Sequence, residues 1–326
     1  MDPKVESKSV SHFYAIDILR GLAALSVCIF HFTGSTDLAN TVASWGKYGH
    51  LGVEIFFVIS GFIIPYSMQK SNYKLSSFFR FIVKRMARIN PPYIVIILAT
   101  LLYIYCTRRA FMPTLDSILP HFIYMQTFLG YESLSPVFWT LVIEFQFYIF
   151  IGLFFYLISN QSIILFAAFI ELLLLAFLCY HGGNLLGYLS FFILGILLFR
   201  SKFFKIHPTL YWALVSQCIL LTTYKIGLAQ SIAGLFAFIV IAYVKVNIRF
   251  IGIRLLIASG TISYSLYLIH WEFGRALVAL SKHIPIVQNH ELLRILFALC
   301  GTILGSIIFY RLLEKPSIKL STLVKT

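Results

Sequence analysis

Acidic side chains are scarce. Asp and Glu number 12 in 326 residues, and charged residues of both signs reach only 12%. A soluble domain carries about 25%, so a water-facing globular fold is excluded. The five cysteines (Cys28, Cys106, Cys179, Cys218, Cys300) lie scattered in apolar runs. Their odd number and spacing give no disulfide framework or metal site, and they read as small buried hydrophobes. No internal repeat is visible, and no connection is long enough to fold separately. No small-x-small cleavage site follows the first apolar run, which therefore reads as a retained helix. What is abundant is apolar: 60% hydrophobic, 17% aromatic, mean hydropathy +0.88. The expected fold class is all-α, a polytopic membrane protein forming one domain over residues 1–326, with tails at 1–13 and 314–326.

Ten spans are expected, at about 14–33, 51–68, 91–106, 137–158, 162–180, 184–200, 209–224, 228–244, 255–273 and 292–313. An even number places both termini on one side. The segments on that side, with their boundary residues, hold eighteen Lys and Arg, against seven on the other. This asymmetry puts both termini in the cytoplasm by the positive-inside rule. It also accounts for most of the +14 net charge without nucleic acid as a partner.

The first span, Tyr14 to Thr33, carries Asp17, Arg20 and His31. An ionisable group at membrane depth costs a few kcal/mol or more and is a functional candidate. Arg20 and His31 are eleven residues apart, so on a helix they lie about 20° apart around the axis and about 16 Å apart along it. Taken singly, Arg20 reads as a snorkelling anchor and His31 as an interfacial polar residue. Together on one face they offer a guanidinium near one surface and an imidazole toward the other.

Further intramembrane candidates follow. Glu54 opens the second span, with Ser60-Gly61 at its middle, where small residues permit close helix packing or substrate approach. Residues 75–93 form a basic amphipathic segment that Pro91-Pro92 is expected to end. In it Arg85 and Arg88 are neighbours on one face. They suit either an anchor to anionic lipid or a fork for a polyanion, since guanidinium binds phosphate bidentately. Trp139 and Glu144 lie early in the fourth span, where the buried carboxylate needs a partner such as His31 or Arg20. Glu171, in the fifth, has no motif. The ninth span carries a run of hydroxyls including Tyr264, and ends in His270-Trp271-Glu272.

In order, these motifs resemble the integral-membrane acyltransferase 3 family. They are Asp17-x-x-Arg20-Gly21 with His31, Gly52 to Phe62, Arg85-x-x-Arg88-Ile89-x-Pro91, Phe138-Trp139-Thr140-Leu141-x-x-Glu144, and Ser263 to His270. Thr140 stands where that family more often has serine. The resemblance implies a ten-helix enzyme of the bacterial inner membrane that moves an acyl group, often acetyl, from cytoplasmic acyl-CoA to a carbohydrate hydroxyl. The expected partners are acyl-CoA, a carbohydrate or lipid-linked glycan and membrane lipid, with no permanently bound cofactor and no metal. His31 is implied as the catalytic histidine, with functional roles for Arg20, Arg85 and Arg88. On this reading the arginines bind the donor and His31 acts as general base, a covalent acyl-histidine remaining open. Glu144 orients the imidazole, and Trp139 and Ser60 are candidate oxyanion donors. With no fused extracytoplasmic hydrolase-like domain, the resemblance is to a stand-alone glycan acylase and not to the two-domain members acting on peptidoglycan, and the expected acceptor is a cell-surface or exported glycan. The competing class is a transporter or flippase of a lipid-linked sugar, which ten spans with buried charges also suit. Against it stand the missing repeat and the lack of paired broken helices. A membrane sensor has no feature in its favour.

Overall fold

The computed structural model describes residues 3–34, 44, 46–107, 113–247 and 249–324, with side chains from residue 14 onward. Arg108, Arg109 and Lys325, which enter the charge asymmetry, lie outside these residues, as do the side chains of Lys4 and Lys8. The described chain is helical, with no strand among its elements. Six helices are long and apolar enough to cross a membrane, or seven if one bent pair is a single span. The sequence reading of about ten counts four more. One is the bent pair. The others, 162–180, 209–224 and 228–244, are helices of 16 to 18 residues outside the six.

In chain order the α-helices of seven residues or more are α1 (Pro3–Thr33), α2 (Gly52–Lys70), α3 (Phe78–Cys106), α4 (Phe138–Ile158), α5 (Ile163–Cys179), α6 (Leu185–Phe203), α7 (Pro208–Lys225), α8 (Leu228–Tyr243), α9 (Ile251–Thr261), α10 (Ser263–Ile269), α11 (Arg275–Ser281), α12 (Glu291–Phe309) and α13 (Lys315–Leu323). Their starts follow local chemistry. Ser162 caps α5 by accepting from the Leu165 N–H, Asn184 caps α6 by accepting from the Leu186 N–H, and Pro208 opens α7.

Helix α2 is the axis of the core. It packs on α1, α4, α6 and α8, and its contact with α6 is the most extensive. That contact is close because glycines meet there. A Cβ on Gly195 would strike the backbone of Val58 and Gly61, and one on Gly61 would strike the backbone of Phe192. Around the crossing, the Phe192 ring stacks on Phe57 (4.9 Å) and on Phe147 (4.2 Å). Between α1 and α9 the same device recurs, with Gly260 against the Asp17 backbone. Small residues let backbones approach and gain dispersion where lipid supplies no hydrophobic drive.

The structure corrects three sequence expectations. Pro91-Pro92 does not end the basic helix; α3 runs through both, so Arg85 and Arg88 belong to the same 29-residue helix as the third span. Proline inside a membrane helix is tolerated when neighbours satisfy the freed backbone. Beside the prolines α3 is also tied to its neighbours: the Tyr264 hydroxyl donates to the Ile89 carbonyl (2.7 Å), and Asn90 Nδ2 donates to the Phe122 carbonyl (3.2 Å). The ninth span is not one straight helix. It bends by 59° between α9 and α10, just after Gly260 docks on Asp17. The C-terminal segment includes a further helix, α13, packed against α3.

Arg200, counted as a basic residue at the inner boundary, is fully buried. Its guanidinium donates to the Ile158 carbonyl (3.1 Å) and the Asn160 carbonyl (2.5 Å), between the rings of Phe166 and Phe204. It therefore closes the C-terminus of α4, where the last carbonyls lack intrahelical partners.

Candidate functional site

A cavity of about 210 Å³ lies among α1, α2, α3, α4, α10 and the turn that follows α12. Its walls are apolar toward Val53, Phe56 and Phe57. Elsewhere they carry five charged side chains from four segments: Arg20, Arg85, Arg88, Glu144 and Glu314. The charges acting on Arg20 are Arg88, Glu314, Asp17 and Glu144. Three guanidinium groups face two carboxylates, so the lining is net positive.

Glu144, Arg85 and Glu314 are held by hydrogen bonds to neighbouring side chains and backbone. Glu144 accepts from Tyr148, one helical turn on (2.6 Å), and from Ser60 of α2 (3.3 Å). Arg85 lies over the rings of Phe81 (5.3 Å) and Tyr148 (5.5 Å), and reaches Ser67 Oγ at 3.5 Å. Glu314 stands on a π turn, Tyr310–Glu314, and one carboxylate oxygen accepts from both the Ser265 amide (3.1 Å) and its hydroxyl (2.5 Å). A π turn inserts an extra residue into a helix and redirects its side chains, a device common at functional sites.

At the cavity end opposite Arg85 lies a polar lock. The Thr140 and Tyr267 hydroxyls share a hydrogen bond (2.6 Å), and Tyr267 also donates to the Val137 carbonyl (3.3 Å). The Tyr267 ring meets Phe56 (6.0 Å) and His270 (5.4 Å). Past it is a second cluster. His31 packs its ring against Phe30 (4.9 Å), His270 (5.2 Å) and Trp271 (4.9 Å, edge-on). Arg275 lies 4.2 Å over the Trp271 ring. Glu272 accepts from Thr100 (3.1 Å).

Of the residues singled out from sequence, Arg20, Arg85, Arg88, Glu144, Ser60 and Tyr264 line one cavity. Arg85 and Arg88 face it together, as their spacing predicts. Asp17 stands one turn from Arg20 and acts on it electrostatically. His31 and His270 sit together outside the cavity lining. The structure does not bring Glu144 to His31; its contacts are Tyr148 and Ser60, and it shares the cavity with Arg20. Trp139 leans on Tyr188 (5.3 Å) instead of lining the cavity, and the buried Glu54 acts on Tyr188 as well. Glu171 accepts from Gln217 (2.7 Å) on an exposed face.

Sequence reasoning missed Tyr148, Glu314, Thr140 and Tyr267 as site residues. Tyr148 was legible as the i+4 neighbour of Glu144. Glu314 was legible as the one acidic residue after Glu291, set in a basic stretch. It also missed His121, fully buried, which links the Ser117 carbonyl to the Leu134 amide and holds together the connection after α3.

An all-helical membrane protein with a cation-lined cavity is the class that fold and site define. The chain belongs to the acyltransferase domain family, acyltransferase 3, which matches residues 13–311. Among similar proteins is YrhL of Bacillus subtilis (strain 168), a candidate peptidoglycan O-acetyltransferase. It is 31% identical over 160 residues, which is 44% of this chain and 24% of that protein. The peptidoglycan O-acetyltransferase OatA of Listeria monocytogenes serovar 1/2a is 29% identical over 154 residues, 41% of this chain and 23% of that protein. The aligned part thus spans about a quarter of the length of these relatives. No solved structure matches the chain.

Proposed function

We propose that this protein is a membrane O-acyltransferase that moves an acetyl group from acyl-CoA to a carbohydrate hydroxyl. The observation that carries the reading is the placement of three arginines in one cavity, Arg85 and Arg88 from α3 and Arg20 from α1, the helix whose same face bears His31 about 16 Å further along. The CoA phosphates bind against Arg85 and Arg88, and the pantetheine arm runs inward past Arg20 toward the Tyr267 end. His31 takes the proton of the acceptor hydroxyl as its oxygen attacks the thioester carbonyl. The carbon–sulfur bond then breaks, and the imidazolium returns the proton to the departing thiolate. Glu144 and Glu314 balance the arginine charge and hold the donor side open as a polar cavity. The relatives' names make peptidoglycan the first acceptor to test, against the expectation of another glycan. Ten spans with N- and C-termini in the cytoplasm put the donor mouth on the cytoplasmic face.

Labelled acetyl-CoA supplied to inside-out membrane vesicles should place label on a glycan. The same donor outside right-side-out vesicles should give none. Label that appears only from the outer face would overturn the orientation, and no protein-dependent label from either face would overturn the enzyme.

The arginine pair separates donor recognition from charge alone. Lysine keeps the charge but lacks the planar fork. Arg85→Lys with Arg88→Lys should therefore leave membrane insertion intact and raise the acyl-CoA KM about tenfold, equivalent to about 1.4 kcal/mol, with the acceptor KM unchanged. Steady-state kinetics on quantified membranes check this; wild-type donor kinetics return both arginines to a merely electrostatic role.

A further inference from the structure

His270 has no part in the mechanism so far, yet its surroundings are highly specified. It opens a π turn, His270–Gly274, and is fully buried. Its Nδ1 lies 2.6 Å from the Tyr267 carbonyl oxygen. A carbonyl only accepts, so Nδ1 carries the hydrogen and donates it. In the neutral ring Nε2 is then an acceptor. That nitrogen is buried and has no hydrogen-bond partner. The neighbouring imidazole is His31, with ring centroids 5.2 Å apart and planes inclined by 33°. Trp271 stands edge-on to His31 and confines it.

We propose that His270 is a positioning residue for His31. Its backbone-fixed tautomer offers Nε2 to one N–H of His31, which leaves the other His31 nitrogen unprotonated and turned toward the acceptor hydroxyl. The role is that of the group behind the base in a catalytic triad, performed here by a neutral ring. When His31 takes the acceptor's proton, the N–H held by His270 stays in place, and no proton passes to His270. The taken proton leaves with the thiolate. The π turn explains how the ring gets there: its extra residue directs His270 to α1 while α10 keeps Tyr267 on the cavity. Glu144, which does not reach His31, is thereby released from the orienting role.

The inference rests on reading His31 as the base, and the test separates the two. In His270→Asn the amide nitrogen replaces Nδ1 and keeps the bond to Tyr267, but nothing occupies the Nε2 position. In His270→Gln the side-chain oxygen reaches that position and accepts. His270→Asn should lower kcat about tenfold to a hundredfold, a part of the roughly 10²–10⁴ a general base supplies, with the acyl-CoA KM changed less than about twofold. His270→Gln should recover to within about fivefold of wild type. Membrane level and melting temperature are measured for each, and His31→Ala is assayed in parallel. Wild-type kcat in His270→Asn overturns the proposal. So does an equal loss in Asn and Gln accompanied by a lower melting temperature or a raised donor KM, which marks a packing role. Full activity of His31→Ala removes the base itself, and the proposal falls with it.

Discussion

His31→Ala inserts normally and loses transfer activity by a factor of about 10²–10⁴, the span that a general base contributes. Insertion survives because the His31 contacts are ring contacts at the end of α1, apart from the glycine crossings of α2 with α6 and of α1 with α9. Donor binding survives too, because the arginine cavity is lined by other residues. The loss therefore falls on kcat, with the acyl-CoA KM close to wild type. Label transfer in membranes of matched protein content is the measurement. Activity within about threefold of wild type would take His31 out of the chemistry.

Gly195→Leu abolishes the folded protein. The added side chain has nowhere to go, because the atoms facing it are the backbone of Val58, Gly61 and Phe62. Overpacking of side chains costs about 1–3 kcal/mol when neighbours can rotate away. Backbone cannot rotate away, so α2 and α6 must separate, and α2 is the helix on which α1, α4 and α8 also pack. The cost should exceed that range and leave no monodisperse species after detergent extraction. Gly183→Leu is the control: a Cβ there meets nothing within 4 Å. The pair is read by size-exclusion profile and melting temperature. A well-behaved Gly195→Leu protein would show that the crossing is looser than its geometry.

The site was legible where one helix carried the information. Arg20 and His31 share a face by simple periodicity, and Arg85 and Arg88 by their three-residue spacing. What failed needed knowledge of neighbours. Pro91-Pro92 read as a stop because the rule for isolated helices has no place for the neighbours to which α3 is tied beside the prolines, such as Tyr264 at the Ile89 carbonyl. Glu144 looked like a partner for His31 because a buried carboxylate needs one, and sequence does not say that Tyr148 and Ser60 supply it. Glu314 looked like part of a basic tail although its lone acidic charge there was legible, because the π turn that places it at the cavity leaves no sequence signature. The span count shows the same limit. The helices at 162–180, 209–224 and 228–244 are apolar but short, and whether each crosses a bilayer depends on how its neighbours sit.

A living membrane is also an insulator, and about 100 mV across it is worth about 2.3 kcal/mol for each elementary charge that passes. In the orientation proposed here, the polar cavity faces the cytoplasm. Between it and His31 stand the Thr140–Tyr267 hydroxyl pair, with Phe56 beside it, and the packed ring of His270. A donor arm that reaches His31 has to part this layer on every turnover. The arm must therefore plug the opening it makes, and an empty enzyme must keep it shut if the cell is not to discharge through it.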